Sequence, residues 1–414
     1  MTEHKAIPDR GEGRVTAYRA ARAITDVASG TVVEDATVVV RGDRILWAGR
    51  TADRPGHFAG EGGLATVELG TRTLFPGLMD AHVHLAFDAG SDPVATMLAR
   101  DEPALIDSMR TSARQLVESG VTFARDLGAP GGLAARIRDE IRDGKTPGPR
   151  MMVAGRPLTR PRGHCWFMGN EIGDPGRARR AVREEIEAGA DLIKVMVTGG
   201  RMTPGTDPVR FEVSPEALAA VVDEAHLLGV TVAAHALSTA GIRAAAAAGV
   251  DSVEHGTFIS PEGGDGYDEA VVRDLVAAGA GVCPTLGLAG AHAHPIPIEI
   301  RGGWVAMLHA AGVPILAGTD SGIPRHPHVG GVVDGLEGMI AGGLSARDAL
   351  MAATETGMRA AGLDGAGAIK PGYLADLIAV DGDPLADVRA LLDPPFVLAG
   401  GRVVKEPALP LRGV

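Results

Sequence analysis

In Asp80-Ala81-His82-Val83-His84 two imidazoles stand two residues apart, the spacing that puts both on one face of a β-strand. Imidazole is a common ligand of zinc and related ions, and a pair from one strand needs no loop to position it. Alone, such a pair reads equally well as two polar residues at a strand end. Three further donors close apolar runs: His235 ends Val232-Ala233-Ala234-His235, His255 ends Ser252-Val253-Glu254-His255, and Asp320 ends Ile315-Leu316-Ala317-Gly318-Thr319-Asp320. Singly, each histidine fits a hydrogen-bonded core residue and Asp320 fits a helix N-cap. Lys194 is stranger. It lies inside Leu192-Ile193-Lys194-Val195-Met196-Val197 and is one of only five lysines among 40 basic residues. An ammonium buried there needs a carboxylate partner or a chemical change; a carbamate formed with carbon dioxide would make it an anionic oxygen ligand able to bridge two metals. One metal centre explains all six residues at once, where separate explanations would have to coincide.

Such a centre needs rigid elements to carry it. Short apolar runs alternate with Ala-rich helical stretches through the middle of the chain, the sign of βα units around a parallel sheet. Eight strand candidates appear: Leu78–Leu85, Val121–Leu127, Arg150–Ala154, Leu192–Thr198, Thr231–His235, Ser252–Glu254, Gly281–Thr285 and Pro314–Ala317. That number fits a (β/α)8 TIM barrel of about 250 residues, whose catalytic groups sit at the C-terminal ends of the strands. The donors above end or lie in the first, fourth, fifth, sixth and eighth candidates. Thr239–Ala248 is nearly all alanine and reads as a close-packing helix. Both ends of the chain differ in texture. Thr37–Val40 and Arg44–Ala48 at one end, and Ala375–Val380, Phe396–Ala399 and Arg402–Lys405 at the other, read as hairpins around Gly-rich turns. The expected organisation is a small β-sandwich domain built from residues 1–74 and 370–414, with the barrel in 75–369.

Composition narrows the partners. With 40 basic against 52 acidic residues the net charge is −12, which argues against nucleic acid or an anionic membrane. The opening MTEHKAIPDRGEG is polar with no apolar run behind it, so no signal peptide is expected, and no stretch is long and apolar enough to span a bilayer. A cytoplasmic location is the resulting expectation. Cys165 and Cys283 are the two cysteines, and their spacing supports neither a disulfide framework nor a zinc knuckle.

Phe75-Pro76-Gly77-Leu78-Met79-Asp80-Ala81-His82-Val83-His84 resembles the strand-one signature of the metal-dependent amidohydrolase superfamily. Glu254-His255-Gly256 and Gly318-Thr319-Asp320-Ser321-Gly322 resemble its strand-six and strand-eight signatures, and Pro371-Gly372-Tyr373-Leu374-Ala375-Asp376-Leu377 resembles its PGxxADL turn. The resemblance covers nearly the whole chain. Ala188-Gly189-Ala190-Asp191-Leu192-Ile193-Lys194-Val195-Met196, with Thr198-Gly199-Gly200 after it, is similar to the prolidase and imidazolonepropionase-like branch, whose lysine-bearing members resemble binuclear zinc enzymes cleaving dipeptides and N-acyl amino acids. The resemblance implies one or two Zn2+ ions, with His82, His84 and Asp320 on the more buried, His235 and His255 on the more exposed, and carbamylated Lys194 bridging. A metal-held hydroxide would attack an amide carbonyl polarised by the exposed metal, and Asp320 would carry its proton to the leaving amine.

His164, in Arg160-Pro161-Arg162-Gly163-His164-Cys165-Trp166, falls where the branch has a histidine after glycine; it is either an oxyanion hydrogen-bond donor or an ordinary loop histidine. A thiol nucleophile at Cys165 is disfavoured where a metal hydroxide is available. After His235 the chain reads Ala236-Leu237, where some peptide-cleaving relatives carry a polar or aromatic side chain. Arg160, Arg162 and Arg201 at the barrel mouth suggest a carboxylate on a small-molecule or peptide substrate. His328, in Arg325-His326-Pro327-His328, is a further substrate-contact candidate, with a solvated loop as the plainer reading. A homo-oligomer is expected by analogy. Three other readings stay open: a tailoring peptidase that removes a follower segment from a bottromycin-type ribosomal peptide, a cyclic-amide hydrolase or deaminase of imidazolonepropionase type, and a non-catalytic scaffold. Lys194 argues against the second and the full donor set against the last.

Overall fold

The computed structural model describes residues 15–59, 64–287, 296–324 and 326–406. The opening polar segment and Arg325 lie outside these. The chain enters through β1 (Val15–Asp26), β2 (Thr31–Arg41) and β3 (Arg44–Arg50), antiparallel neighbours. The turn between β2 and β3 uses Gly42 at φ 54°, a conformation glycine adopts without strain. β4 (Ala65–Glu68) and β5 (Thr73–Pro76) lie parallel to β1 on its other edge.

The middle of the chain is an α/β arrangement of parallel strands and intervening helices. β6 (Leu78–Val83), β7 (Val121–Asp126) and β8 (Arg150–Val153) form one sheet. β9 (Leu158–Thr159), β10 (Asn170–Glu171), β11 (Leu192–Met196), β12 (Thr231–Ser238), β13 (Ser252–Ile259) and β14 (Gly281–Cys283) form a second, in the order β10-β9-β11-β12-β13-β14. Every residue of β6, β7 and β11 is buried, as strands covered on both faces require. Helix starts are written in the sequence: Asp101, Asp174, Ser214, Ser238 and Asp268 each accept a backbone N–H two or three residues on. The alanine run Thr239–Ala248 is the helix expected, ended by Gly249.

Several strand boundaries move. The third expected strand is β8, and beyond its expected range a further short strand, β9, sets Leu158 opposite Val195 of β11. β13 runs on to Ile259, so His255 lies within it; the backbone there turns through left-handed values at His255 (φ 69°) and Gly256 (φ 53°). Pro314–Ala317 carries no ladder but is hydrogen-bonded on both sides. Val282 N donates to Pro314 O at 2.8 Å on the β14 side; on the β6 side Ala81 N donates to Ala317 O and Asp320 N to His82 O, both at 2.8 Å.

β15 (Leu377–Val380), β16 (Phe396–Ala399) and β17 (Arg402–Lys405) return the chain to its first sheet. β15 pairs with β5, including Phe75 and Pro76, and the order becomes β17-β16-β15-β5-β1-β2-β3. The hydrogen-bonded path is a single sheet drawn from both ends, where two stacked sheets were expected. It curls strongly: the rings of Tyr18 on β1 and Phe396 on β16 meet at 5.6 Å, although three strand spacings in a flat sheet would separate them by about 14 Å. No helix among the described residues is long and apolar enough to cross a membrane.

Candidate functional site

All six predicted metal donors come together where β6, β11, β12, β13 and the 314–321 run end, and all six line one cavity of about 470 Å³. His82 and His84 share a face of β6 as their spacing requires, with rings 5.3 Å apart; His82 and His255 are 5.0 Å apart and His255 and His235 4.6 Å. Donor atoms of His82, His255 and Asp320 all lie within 4.8 Å of one another.

Each imidazole is held through one nitrogen and open at the other. His82 Nδ1 is 2.9 Å from Glu254 Oε2, a carboxylate that can only accept, so Nδ1 carries the proton and Nε2 presents its lone pair. His84 Nδ1 donates to Gly128 O at 3.2 Å and His235 Nε2 to Gly199 O at 3.1 Å. The same logic frees His84 Nε2 and His235 Nδ1. His255 Nδ1 meets Thr285 Oγ1 at 2.9 Å. Asp320 Oδ1 faces His84 Nε2 at 3.2 Å and His82 Nε2 at 3.5 Å, so three electron-pair donors converge with no proton between them. That arrangement is repulsive unless a cation sits among them. Burial drives His82 down to about 4 and His235 and His255 well below the usual imidazole value, favouring the neutral form that ligation needs.

Lys194 is 1% exposed, its Nζ has no hydrogen-bond partner, and it makes no ion pair among the described residues. The salt-bridge explanation of this lysine therefore fails. Its Nζ is an orphaned buried nitrogen in the cavity that the four candidate histidines and Asp320 also line.

The supporting groups were invisible in sequence. Glu254 is clamped between His82 and Arg125, whose guanidinium reaches it at 2.8 Å, and Ser252 Oγ donates to it at 2.7 Å. Burial opposes ionisation, but Arg125 and His82 hold its carboxyl well below the ordinary range. Thr285 sits at φ 44°, an uncommon conformation for a β-branched residue. Cys165, His255 and Asp320 also have positive φ, a clustering of backbone strain typical of functional sites.

His164 is 4% exposed, lines the same cavity, and lies with its ring 4.7 Å from that of His235, tilted by 42°. Thr203 Oγ1 accepts from Cys165 N at 2.9 Å and lies 3.1 Å from His164 Nδ1. Where the hydroxyl donates its one proton to Nδ1, His164 Nε2 is left as a donor. Burial lowers His164 to about 4 and raises Cys165 to about 12, so the imidazole is neutral and the thiol is no nucleophile.

The substrate-contact candidates divide. Arg201 lines the cavity. Arg162 does not: its guanidinium lies 5.2 Å over the exposed Trp166 ring. Arg160 is spent on Glu212 at 2.9 Å. His328 does not line the cavity: it is buried, with its ring nitrogens against Ser321 Oγ at 3.0 Å and Phe87 O at 3.2 Å. His326 lines the cavity instead, and so does the buried Arg301. Arg301 was legible in principle, since it heads the apolar stripe Trp304, Val305, Leu308 at spacings of three, four and seven.

A family model described as the amidohydrolase family matches residues 73–405. Ochratoxinase of Aspergillus niger is 28% identical over 428 residues, spanning 92% of this chain and 85% of that protein. An imidazolonepropionase of Cereibacter sphaeroides is 25% identical over 395 residues, spanning 88% and 92%. Among solved structures, a Xaa-Pro dipeptidase with methionine bound in its active site superposes with a TM-score of 0.80 at 27% identity, over 94% of this chain and 99% of that one.

Proposed function

The chain belongs to the amidohydrolase family, and from that premise we propose that this C–N bond hydrolase is metal-dependent and cleaves the amide bond of a peptide or N-acyl amino acid. The observation that carries the reading is the convergence of open histidine nitrogens and Asp320 around the unpartnered Nζ of Lys194. Zn2+ suits this donor set, and Lys194 as a carbamate adds an anionic oxygen donor among the neutral imidazoles. Bound there, the metal supplies Lewis acidity, enough to activate water near neutral pH and polarise a scissile carbonyl.

The chain's own groups do the rest. Asp320, kept ionised by a cation held among these donors, would be a base able to accept the proton of attacking water and return it to the leaving amine. His164 Nε2, left as a donor where Thr203 donates to Nδ1, stabilises the oxygen on which charge develops. A bound methionine in the similar Xaa-Pro dipeptidase supports a substrate that ends in an amino-acid carboxylate. The paired hydrogen bonds on either side of 314–321 support reading the two parallel sheets as one closed (β/α)8 barrel, with the curled terminal sheet as a second domain.

The test is to incubate zinc-loaded protein with pooled dipeptides and N-acyl amino acids and measure released amine with and without chelator. Chelator-sensitive release is expected. Release that persists undiminished after complete metal removal would overturn the metal-dependent reading.

A further inference from the structure

Apart from Lys194, Arg301 is the one cation among the described residues that is over nine-tenths buried and has no ion pair. It lies in the helix Ile298–Ala310 and is 7% exposed, packed on the side that also buries Trp304, Val305 and Leu308. Its Nε is sealed with no hydrogen-bond partner, and no described residue bonds its terminal nitrogens. A guanidinium is costly to dehydrate, and native proteins pair it when they bury it. Burial, and after it repulsion from another cation, Arg201, lowers Arg301 to about 10. Arg201 is exposed and also lacks an ion pair among the described residues. Both line the cavity that holds the metal donors, in a protein whose net charge is −12.

We propose that Arg301, assisted by Arg201, is the anion-recognition site of this cavity and binds a carboxylate carried by the substrate. That the anion belongs to the molecule being cleaved rests on the proposed amide hydrolysis; the binding site itself does not. A guanidinium presents parallel N–H donors matched to two carboxylate oxygens. One dehydrated positive charge neutralises one carboxylate, whereas a phosphate dianion would bring a second charge that only the exposed Arg201 could meet. The wall also carries the polar groups Ser91, Asp92, Thr257, Thr285 and His326. Its apolar, adaptable portion, with Phe87, Met168, Met196, Met202, Leu237 and Ile323, suits an apolar side chain on the carboxylate-bearing residue and broad shape tolerance. The structure leaves a buried charge unpaired because the ligand completes the pair.

The test uses two probes with no hydrolysable bond, 4-phenylbutyrate and 4-phenylbutan-1-ol, titrated calorimetrically into the zinc-loaded full chain. The acid is expected to bind about 10- to 100-fold more tightly than the alcohol, and Arg301→Met and Arg301→Gln to bring both to parity. Arg301→Met is also expected to unfold at the wild-type temperature or above, since it removes an unpaired buried charge. Equal affinity of acid and alcohol for the wild type, or an acid affinity unchanged in both variants, would overturn the proposal; the latter would place the carboxylate on the metal. If acid binding depends on Arg301 while no amide is hydrolysed, the anion site stands and the proposed reaction fails.

Discussion

A proton on the wrong nitrogen would disable His82 without moving an atom of the backbone. Glu254 prevents this by accepting from Nδ1, and Arg125 keeps Glu254 charged. Glu254→Gln can offer an amide N–H to Nδ1, which shifts the ring proton to Nε2, where Asp320 waits at 3.5 Å. We expect zinc affinity to fall by about 10- to 100-fold, read by competition with a chelating dye; unchanged affinity would show that the clamp does not set the tautomer. Thr203→Val separates a second role. It removes the hydroxyl that orients His164, so kcat on a hydrolysed amide should fall by about 10²-fold while zinc stoichiometry stays at the wild-type value. A fall in bound zinc would instead make Thr203 part of the metal scaffold. At this scale the clustering of the six candidate donors was legible in the His82–His84 spacing, in the apolar runs ahead of His235, His255 and Asp320, and in a lysine set inside an apolar run. Glu254, Thr203 and Thr285 act through partners 30 or more residues away, and no local pattern marks such pairs.

The helix that carries Arg301 shows how an element sets a site. Gly302 faces the backbone of the helix Gly331–Ala341 and its end. A Cβ there would lie 2.7 Å from Gly338 O and 3.0 Å from Gly342 Cα, while one at Gly303 would meet nothing within 4 Å. The same substitution at adjacent residues should therefore have opposite signs. Gly302→Ala forces two backbones apart and is expected to cost about 1–3 kcal/mol. Gly303→Ala only gains helix propensity, about 0.5–1 kcal/mol. Urea unfolding of both variants decides it, and a neutral Gly302→Ala would mean that the helices separate freely. Apolar runs revealed most of the strands in the sequence, but not their ends. β13 continues past His255 through left-handed φ values at His255 and Gly256, and Pro314–Ala317 is hydrogen-bonded on both sides without forming a ladder, a tertiary outcome that periodicity does not encode.

Across the whole molecule, the sheet made from both ends is held against the middle of the chain through Arg150 on β8. Its guanidinium reaches Asp376 near β15 at 3.4 Å and Asp43 in the β2–β3 turn at 3.5 Å. Arg44 is 3.7 Å from the same Asp43. The texture of the termini made a joint β domain legible, yet not this contact, which joins residues 43, 150 and 376 and exists only once the chain has closed on itself. Asp43 is 1% exposed and neither of its oxygens has a hydrogen-bond partner, so its charge depends on cations without directed bonds to help. Removing one partner of a buried pair strands the other. Arg150→Met should cost about 3 kcal/mol, reduced to the extent that Arg44 compensates, and Asp43→Asn in that background should recover part of the loss by removing the stranded charge. A double-mutant cycle by chemical denaturation measures the coupling. Additivity within about 0.3–0.5 kcal/mol would show that the ends are held by their apolar core alone; a larger coupling would make this charge contact the latch between the sheet and the strands that carry the site.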